Sequence, residues 1–269
     1  MTGRVAGKVA LITGAARGQG RSHAVRLAEE GADVLAVDLC GEYGTTKYAG
    51  ATAADLDRTR QEVEALGRRI VAVTADVRDA EGLTAAVDDG VATLGRLDVV
   101  VANAGICIPQ AWDEVTPAAW QDTLDTNLTG VWNTMAAGVP HLIAAGGGSV
   151  IAISSTAGLK GAPFFAAYGA TKHAIVGLSR TMANELGREF IRFNTVHPAG
   201  LDTPLADGLV DMERLIGANR GLGPIFQNAM PVRVVEPVDV SNAVLFLASE
   251  ESRYVTGLAM TVDAGNTIR

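Results

Sequence analysis

The sequence predicts an α/β fold: one doubly wound, seven-stranded parallel sheet with helices on both faces. Short β-branched runs alternate with amphipathic stretches along nearly the whole chain, which is the rhythm of βαβ units. The runs are apolar without interruption, as in Asp98-Val99-Val100-Val101-Ala102, so both faces of each strand are buried, as in a parallel sheet covered by helices. A glycine-rich turn directly follows the first run and opens a helix.

In chain order the predicted elements are strand Lys8–Thr13, helix Gln19–Glu30, strand Asp33–Asp38, helix Asp55–Leu66, strand Ile70–Thr74, helix Ala80–Leu94 and strand Leu97–Ala102. A long helical segment from Pro117 to about Ala145 comes next, with Thr116 as N-cap and Pro117 at the first position, where a missing N–H costs nothing. Gly146-Gly147-Gly148 ends it. Strand Ser149–Ile153, helix Ala166–Gly187, strand Phe190–Val196, helix Pro237–Ser249 and strand Leu258–Val262 complete the pattern. No repeat or linker interrupts it, so residues 1–269 read as one domain. Two segments break the rhythm: an insertion at 39–54 and a Gly/Pro-punctuated loop at 199–235, and long connections in compact domains are often functional.

Composition narrows the function. With 48% hydrophobic and 19% charged residues the 269-residue chain can bury a large core. A formal charge of -8 and the lack of any Lys/Arg cluster exclude a nucleic-acid footprint and point to small-molecule partners. Cys40 and Cys107 make no disulfide framework, and His23, His141, His173 and His197 lack metal-ligand spacing; a reducing cytoplasm fits, and no metal is expected. No apolar run is long enough to span a membrane.

Thr13-Gly14-Ala15-Ala16-Arg17-Gly18-Gln19-Gly20 lies between the first strand and its helix. Small residues let backbone N–H groups approach a pyrophosphate, and the helix N-terminus adds partial positive charge. The spacing is T-G-x-x-x-G-x-G, not G-x-G-x-x-G. Asp38 ends the second strand, eighteen positions beyond Gly20, where a carboxylate accepts from adenosine ribose hydroxyls and repels a 2′-phosphate. Arg17 points the other way, since a basic loop residue can pair with that phosphate. Asp38 carries more weight, because an exposed Arg can simply be solvated, and NAD is expected over NADP. Asp76-Val77 after the third strand would place a carboxylate near the adenine amino group, or form an ordinary solvated loop. Asn103-Ala104-Gly105 follows the fourth strand at the carboxyl end, where ligands of such sheets bind.

Tyr168 and Lys172 stand four apart on one predicted helix face, so they can act as a unit. A tyrosine base near neutrality needs a downward shift of about three pKa units, roughly 4 kcal/mol, of the kind an ammonium and a cationic nicotinamide supply. Ser155, thirteen residues before Tyr168, comes to the same rim and can hold a substrate oxygen; Ser154 is its competitor, and strand alternation lets only one face the pocket. Asn127 within the long helix either serves a proton relay or bonds locally.

At these residues the chain resembles the short-chain dehydrogenase/reductase family over nearly its whole length. The resemblance implies a Rossmann-type NAD-binding fold and an Asn127-Ser155-Tyr168-Lys172 tetrad. In it Tyr168 is the acid/base, Lys172 lowers its pKa and binds the nicotinamide ribose, Ser155 orients the reacting oxygen and Asn127 supports the relay. Pro198-Ala199-Gly200 and Thr203 would flank the nicotinamide, with Ala199 departing from the commoner Pro-Gly pair, and Leu39 would lie beside Asp38 at the cofactor. A homotetramer is also implied. More narrowly, Gly14 to His23, Val37-Asp38-Leu39-Cys40 and the insertion resemble the mycofactocin-associated, carveol-dehydrogenase-like branch. There the extra segment is thought to cover NAD so that reducing equivalents pass to an external redox carrier; a plain surface loop at 39–54 is the other reading. The expected reaction interconverts an apolar, cyclic or terpenoid secondary alcohol and its ketone. Leu205, Leu209, Met212, Leu215, Ile216, Ile225, Phe226 and Met230 would form the pocket wall, or merely pack the loop or a subunit contact. Two rivals stand: an NADPH-dependent ketoacyl-type reductase, which Arg17 favours and Asp38 opposes, and a non-catalytic NAD-sensing protein of the same fold, against which the intact tetrad weighs.

Overall fold

A computed structural model describes residues 3–269, so the first two residues of the predicted domain lie outside the described residues. Seven strands form one sheet: β1 (Val9–Thr13), β2 (Asp33–Asp38), β3 (Ile70–Thr74), β4 (Val99–Ala102), β5 (Gly148–Ile153), β6 (Ile191–Pro198) and β7 (Ala259–Val262). Their order is β3-β2-β1-β4-β5-β6-β7, and every pairing is parallel. Eight helices surround the sheet: α1 (Gly18–Glu29), α2 (Ala53–Ala65), α3 (Ala80–Leu94), α4 (Pro117–Leu124), α5 (Gly130–Ala144), α6 (Ala166–Glu185), α7 (Met212–Ala218) and α8 (Pro237–Ala248).

Because each β1, β2 and β4 residue is buried, the side chains alternate between two apolar layers. One layer joins Ala10, Ile12, Val34 and Val99 to Leu27 of α1, Val63 of α2 and Val244 of α8. The other joins Leu11, Leu35 and Val100 to Leu83 of α3, Met135 and Leu142 of α5 and Ile175 of α6. Each large side chain fully buried in this way contributes about 1.5–3 kcal/mol, which is why continuous apolar runs specify these strands. The order reverses between β1 and β4, so the connections leaving their carboxyl ends diverge and open a crevice there.

Sequence and structure part in three places. The long helical segment is broken at Asp125–Thr129 by a π-helical turn, whose extra residue re-aims Asn127. Phe190 takes a left-handed φ of 56°, so β6 starts one residue later than expected, and it runs on to Pro198. The loop at 199–235 is not irregular throughout: α7 and two 3₁₀ segments, Pro204–Asp211 and Arg220–Phe226, are folded into it.

Among the described residues no helix is long and apolar enough to cross a membrane, and no group of three or more His, Cys, Asp or Glu side chains is placed to hold a metal ion.

Candidate active site

The crevice at the carboxyl ends of β1 and β4 is an open cleft, the place where ligands of such sheets bind. Gly14, Arg17, Gly18, Gln19 and Gly20 form one wall, Asp38 and Leu39 the next, and Val77, Asn103, Ala104, Gly105 and Thr203 close the far side. Ala16 is buried beneath the loop.

Two glycines in the loop are required by space as well as by backbone angle. Gly14 has φ of +67°, and a Cβ there would come within 2.9 Å of the Ala104 Cα. A Cβ on Gly20 would lie 1.9 Å from the Gly14 carbonyl oxygen. Asn103 braces the same turn, its side-chain amide donating to the carbonyls of Thr13 (2.9 Å) and Gly14 (3.2 Å). At the helix start Arg17 supplies no side-chain cap and the first turn holds no acidic residue, which leaves its N–H groups to an anion. The glycine turn and these N–H groups fit a dinucleotide pyrophosphate; the Gln19 Oε1, buried without a partner, is an acceptor and calls for a donor instead.

Asp38 is held at the end of β2 by two backbone donors, Ala16 N–H to Oδ2 (2.9 Å) and Cys40 N–H to Oδ1 (3.0 Å). Arg17 turns away from it: its guanidinium donates to the Ala49 carbonyl of the insertion. Asp76 is also turned aside, paired with Arg78 at 2.6 Å, while neighbouring Val77 reaches the cleft.

The second cluster lies around α6. Tyr168 and Lys172 share a face, with the Lys172 Nζ 5.4 Å from the Tyr168 ring centroid and donating to the Ile153 carbonyl at 2.8 Å. Burial draws the Lys172 pKa down to about 8. Burial pushes the Tyr168 phenol above its ordinary value; Cys107 and Tyr48 add to this, and a hydrogen bond with Ser155 opposes it. In the protein alone the shift therefore runs against the lowering expected from sequence, because burial of the phenol outweighs the hydrogen bond with Ser155.

The choice between the two serines is decided by packing. Ser154 is buried and donates to the Lys172 carbonyl at 2.9 Å, tying β5 to α6. Ser155 is partly buried on the Tyr168 side and accepts from Ala157 N–H at 3.2 Å. Asn127 is fully buried and bonds neither to its own helix nor to solvent: its side chain accepts from Ile106 N–H and donates to the Ile106 carbonyl, both at 2.8 Å. Its Oδ1 and the Lys172 Nζ both face Gly105, where a Cβ would meet them at 3.2 and 3.7 Å.

Pro198 ends β6, and Gly200 accepts from Val235 N–H at 3.0 Å; neither lines the cleft, whereas Thr203 packs over Gly18. Phe226 meets Phe165 edge-on at 6.2 Å, and Phe165 lies 6.0 Å from Tyr168, so the loop brings an aromatic wall to the tyrosine. Leu215 is buried, Leu205 lines the cleft, and Met230 is largely exposed and forms no wall.

Residue-level reading missed the insertion's own contribution. Tyr43, Thr46 and Tyr48 all line the cleft, and the Tyr48 hydroxyl accepts from Cys107 N–H at 3.4 Å. The segment is pinned at its far side by Thr45 to Asp122 (2.7 Å) and Lys47 to Asp211, and the Tyr48 ring fills the space beside Gly208. Two aromatic residues in an otherwise small and polar stretch were the available signal.

Known proteins resemble this chain over nearly its whole length. The family model described as Enoyl-(Acyl carrier protein) reductase matches residues 14–267. The chain is 48% identical to a (-)-trans-carveol dehydrogenase of Rhodococcus erythropolis over 275 residues, covering 99% of both. A short chain dehydrogenase from Mycobacterium paratuberculosis, crystallised bound to NAD, superposes with a TM-score of 0.97 at 49% identity, covering 99% of this chain and 100% of that one. A carveol dehydrogenase from Mycobacterium avium in complex with NAD does so with a TM-score of 0.94 at 48% identity, both chains covered completely. The chain belongs to the short-chain dehydrogenase/reductase family of oxidoreductases.

Proposed function

We propose that this protein is an NAD-dependent oxidoreductase that interconverts an apolar secondary alcohol, cyclic or terpenoid, and its ketone. The observation that carries the reading is the convergence of Ser155, Tyr168 and Lys172 beside the cleft lined by the glycine loop and Asp38, with an aromatic wall leading to the phenol.

The glycine loop and the α1 N-terminus hold the pyrophosphate, Asp38 takes the adenosine ribose, and Val77, Asn103, Ala104, Gly105 and Thr203 line the rest of the cofactor site. Pro198 and Gly200 shape the β6 exit on which Thr203 rests; Asp76 acts through Arg78 as a brace for the loop beneath Val77. Bound NAD supplies the hydride acceptor for oxidation and, reduced, the donor for reduction, and brings positive charge to the nicotinamide.

The Ser155 hydroxyl orients the substrate oxygen, and the Tyr168 phenolate accepts its proton in oxidation; in reduction the phenol returns it. Lys172, fixed by the Ile153 carbonyl, donates from its remaining hydrogens to the ribose and holds positive charge near the phenol. Asn127 clamps the Ile106 backbone, and so keeps the floor at Gly105 open for the Lys172 ammonium and a proton path. Proton transfer of this kind contributes about 10²–10⁴-fold, with positioning supplying the remainder.

The insertion acts as a strap over NAD, tied down by Arg17, Asp122 and Asp211, and slows cofactor exchange, so that an external redox carrier of the mycofactocin kind re-oxidises the bound nucleotide. The assembly is a homotetramer built through α4, α5 and β7, with the half-exposed Trp120 and Trp132 in its contacts.

The test is to denature freshly purified protein, identify the released nucleotide, and assay native protein with a monocyclic terpenoid alcohol, with and without an artificial electron acceptor. Retained NAD(H) with turnover only in the presence of the acceptor supports the whole reading. Free turnover with added NAD removes the strap from it, and retained NADP sinks the role given to Asp38.

A further inference from the structure

His197 is fully buried on β6 and has no place in the tetrad. Its Nδ1 lies 2.7 Å from the Ser155 carbonyl oxygen and its Nε2 lies 2.7 Å from the Thr195 hydroxyl. A carbonyl only accepts, so Nδ1 carries the ring hydrogen; Nε2 of the neutral ring is then the acceptor, and Thr195 donates to it. Burial draws the His197 pKa down to about 4, the Ser155 contact resists this, and Lys172, Arg180 and His173 of α6 act in the same direction as burial. The ring therefore stays neutral, in one tautomer, across the physiological range.

The place of this contact in the sheet gives it consequence. The β5–β6 ladder ends with the pair Ile153 and Val196, and the last strand-type bond is Ser154 N–H to the Val196 carbonyl at 2.8 Å. Ser155 is the first residue beyond the ladder, where no strand bond restrains its carbonyl. That carbonyl accepts from Gly158 N–H at 2.9 Å within its own 3₁₀ turn and from the His197 imidazole across the sheet. The ladder stops there because its next donor would be Pro198, which has no N–H, and the imidazole ties down the carbonyl of the residue that follows Ser154 instead.

We propose that His197 is a positioning residue for the reaction: its Nδ1–H fixes the main chain of Ser155 where the ladder has stopped, and so aims the Ser155 hydroxyl at the reacting oxygen. The proposal rests on the alcohol dehydrogenase reading above. A misplacement of about 1 Å at a reacting group can cost about 10²-fold in rate, so a single hydrogen bond at this position is enough to matter.

The test pairs two substitutions of similar size and polarity. His197→Asn can place its amide N–H near the lost Nδ1, whereas His197→Gln places it near Nε2. With a monocyclic terpenoid alcohol, NAD and an artificial acceptor, His197→Gln is expected to lower kcat by about 10- to 100-fold with unchanged NAD content, and His197→Asn to recover most of it. Equal losses in both variants, or kcat within about twofold of wild type in both, overturn the proposal, because packing alone does not distinguish the two amides. Nitrogen-15 NMR of labelled histidines in the wild-type protein, with His197 assigned from its absence in the variants, gives a readout independent of turnover. A neutral Nδ1–H tautomer from pH 5.5 to 8 is expected; an Nε2–H tautomer, or titration near pH 6.5, overturns the proposal even where a variant fails to fold. Wild-type protein inert toward alcohols overturns the functional reading itself, a result distinct from active wild type with indifferent variants.

Discussion

The guanidinium of Arg17 donates a hydrogen bond to the carbonyl oxygen of Ala49, so the phosphate loop and the insertion after β2 are joined at one point. An arginine in this loop suggests NADP from sequence alone; its observed partner gives it a different task. Arg17→Ala is expected to speed NAD release by about fivefold, the equivalent of about 1 kcal/mol for a charged donor that solvent partly screens. Nucleotide release followed by fluorescence checks this. An unchanged release rate, or a changed NAD/NADP ratio, would count against the assignment.

Asp38 accepts from Ala16 and Cys40 as well as facing the cleft, so Asp38→Ala should act twice. Preference for NAD over NADP should fall by about tenfold or more as the repulsive carboxylate is lost. Two backbone N–H groups also lose their acceptor, at about 1–3 kcal/mol each where water cannot reach them. Cofactor titrations and a thermal melt separate the two effects.

The two adjacent serines should divide cleanly. Ser155→Ala is expected to reduce kcat by about 10²-fold with little change in Tm. Ser154→Ala removes the donor to the Lys172 carbonyl, and should lower stability by about 1–3 kcal/mol while leaving most of kcat. Steady-state kinetics beside chemical denaturation would expose the reverse pattern. Tyr168→Phe, by contrast, should cost about 10²–10⁴ in kcat with NAD still bound.

Stability should fall on acidification well before the carboxylates titrate. His23 and His197 are buried and neutral, with pKa values drawn down by burial to about 3 and about 4. A lowered histidine pKa means that the unfolded chain binds the proton first. Full stability is therefore present above about pH 6.5 and declines as pH falls towards 4 and 3. Each histidine removes on the order of 2 kcal/mol by pH 5. Urea melts from pH 7.5 to 5 measure the slope, and His23→Leu should flatten it.

Local chemistry made much of this protein legible. Nearly unbroken apolar runs marked β1, β2 and β4, whose residues are all buried, whereas β6 carries Arg192, Asn194, Thr195 and His197 and was marked by its place in the alternating rhythm. Thr116 and Pro117 marked the start of α4, and Gly14 and Gly20 marked the turn that a Cβ would obstruct. The spacing of Tyr168 and Lys172 placed them on one face because helix geometry is local.

What remained open depended on groups far apart in sequence. Arg17 and Ala49, Ser155 and His197, and Asn127 and Ile106 are separated by 32, 42 and 21 residues. Each pair meets only because the sheet order carries distant segments to the same rim. The sequence determined the strands, the glycine turn and the shared helix face of Tyr168 and Lys172, since these follow from side-chain type and short-range periodicity. Only the tertiary structure decided which way Arg17, Asp76 and the two serines turn and what the insertion lies against. Those outcomes depend on which partners happen to be adjacent when buried polar groups must be satisfied.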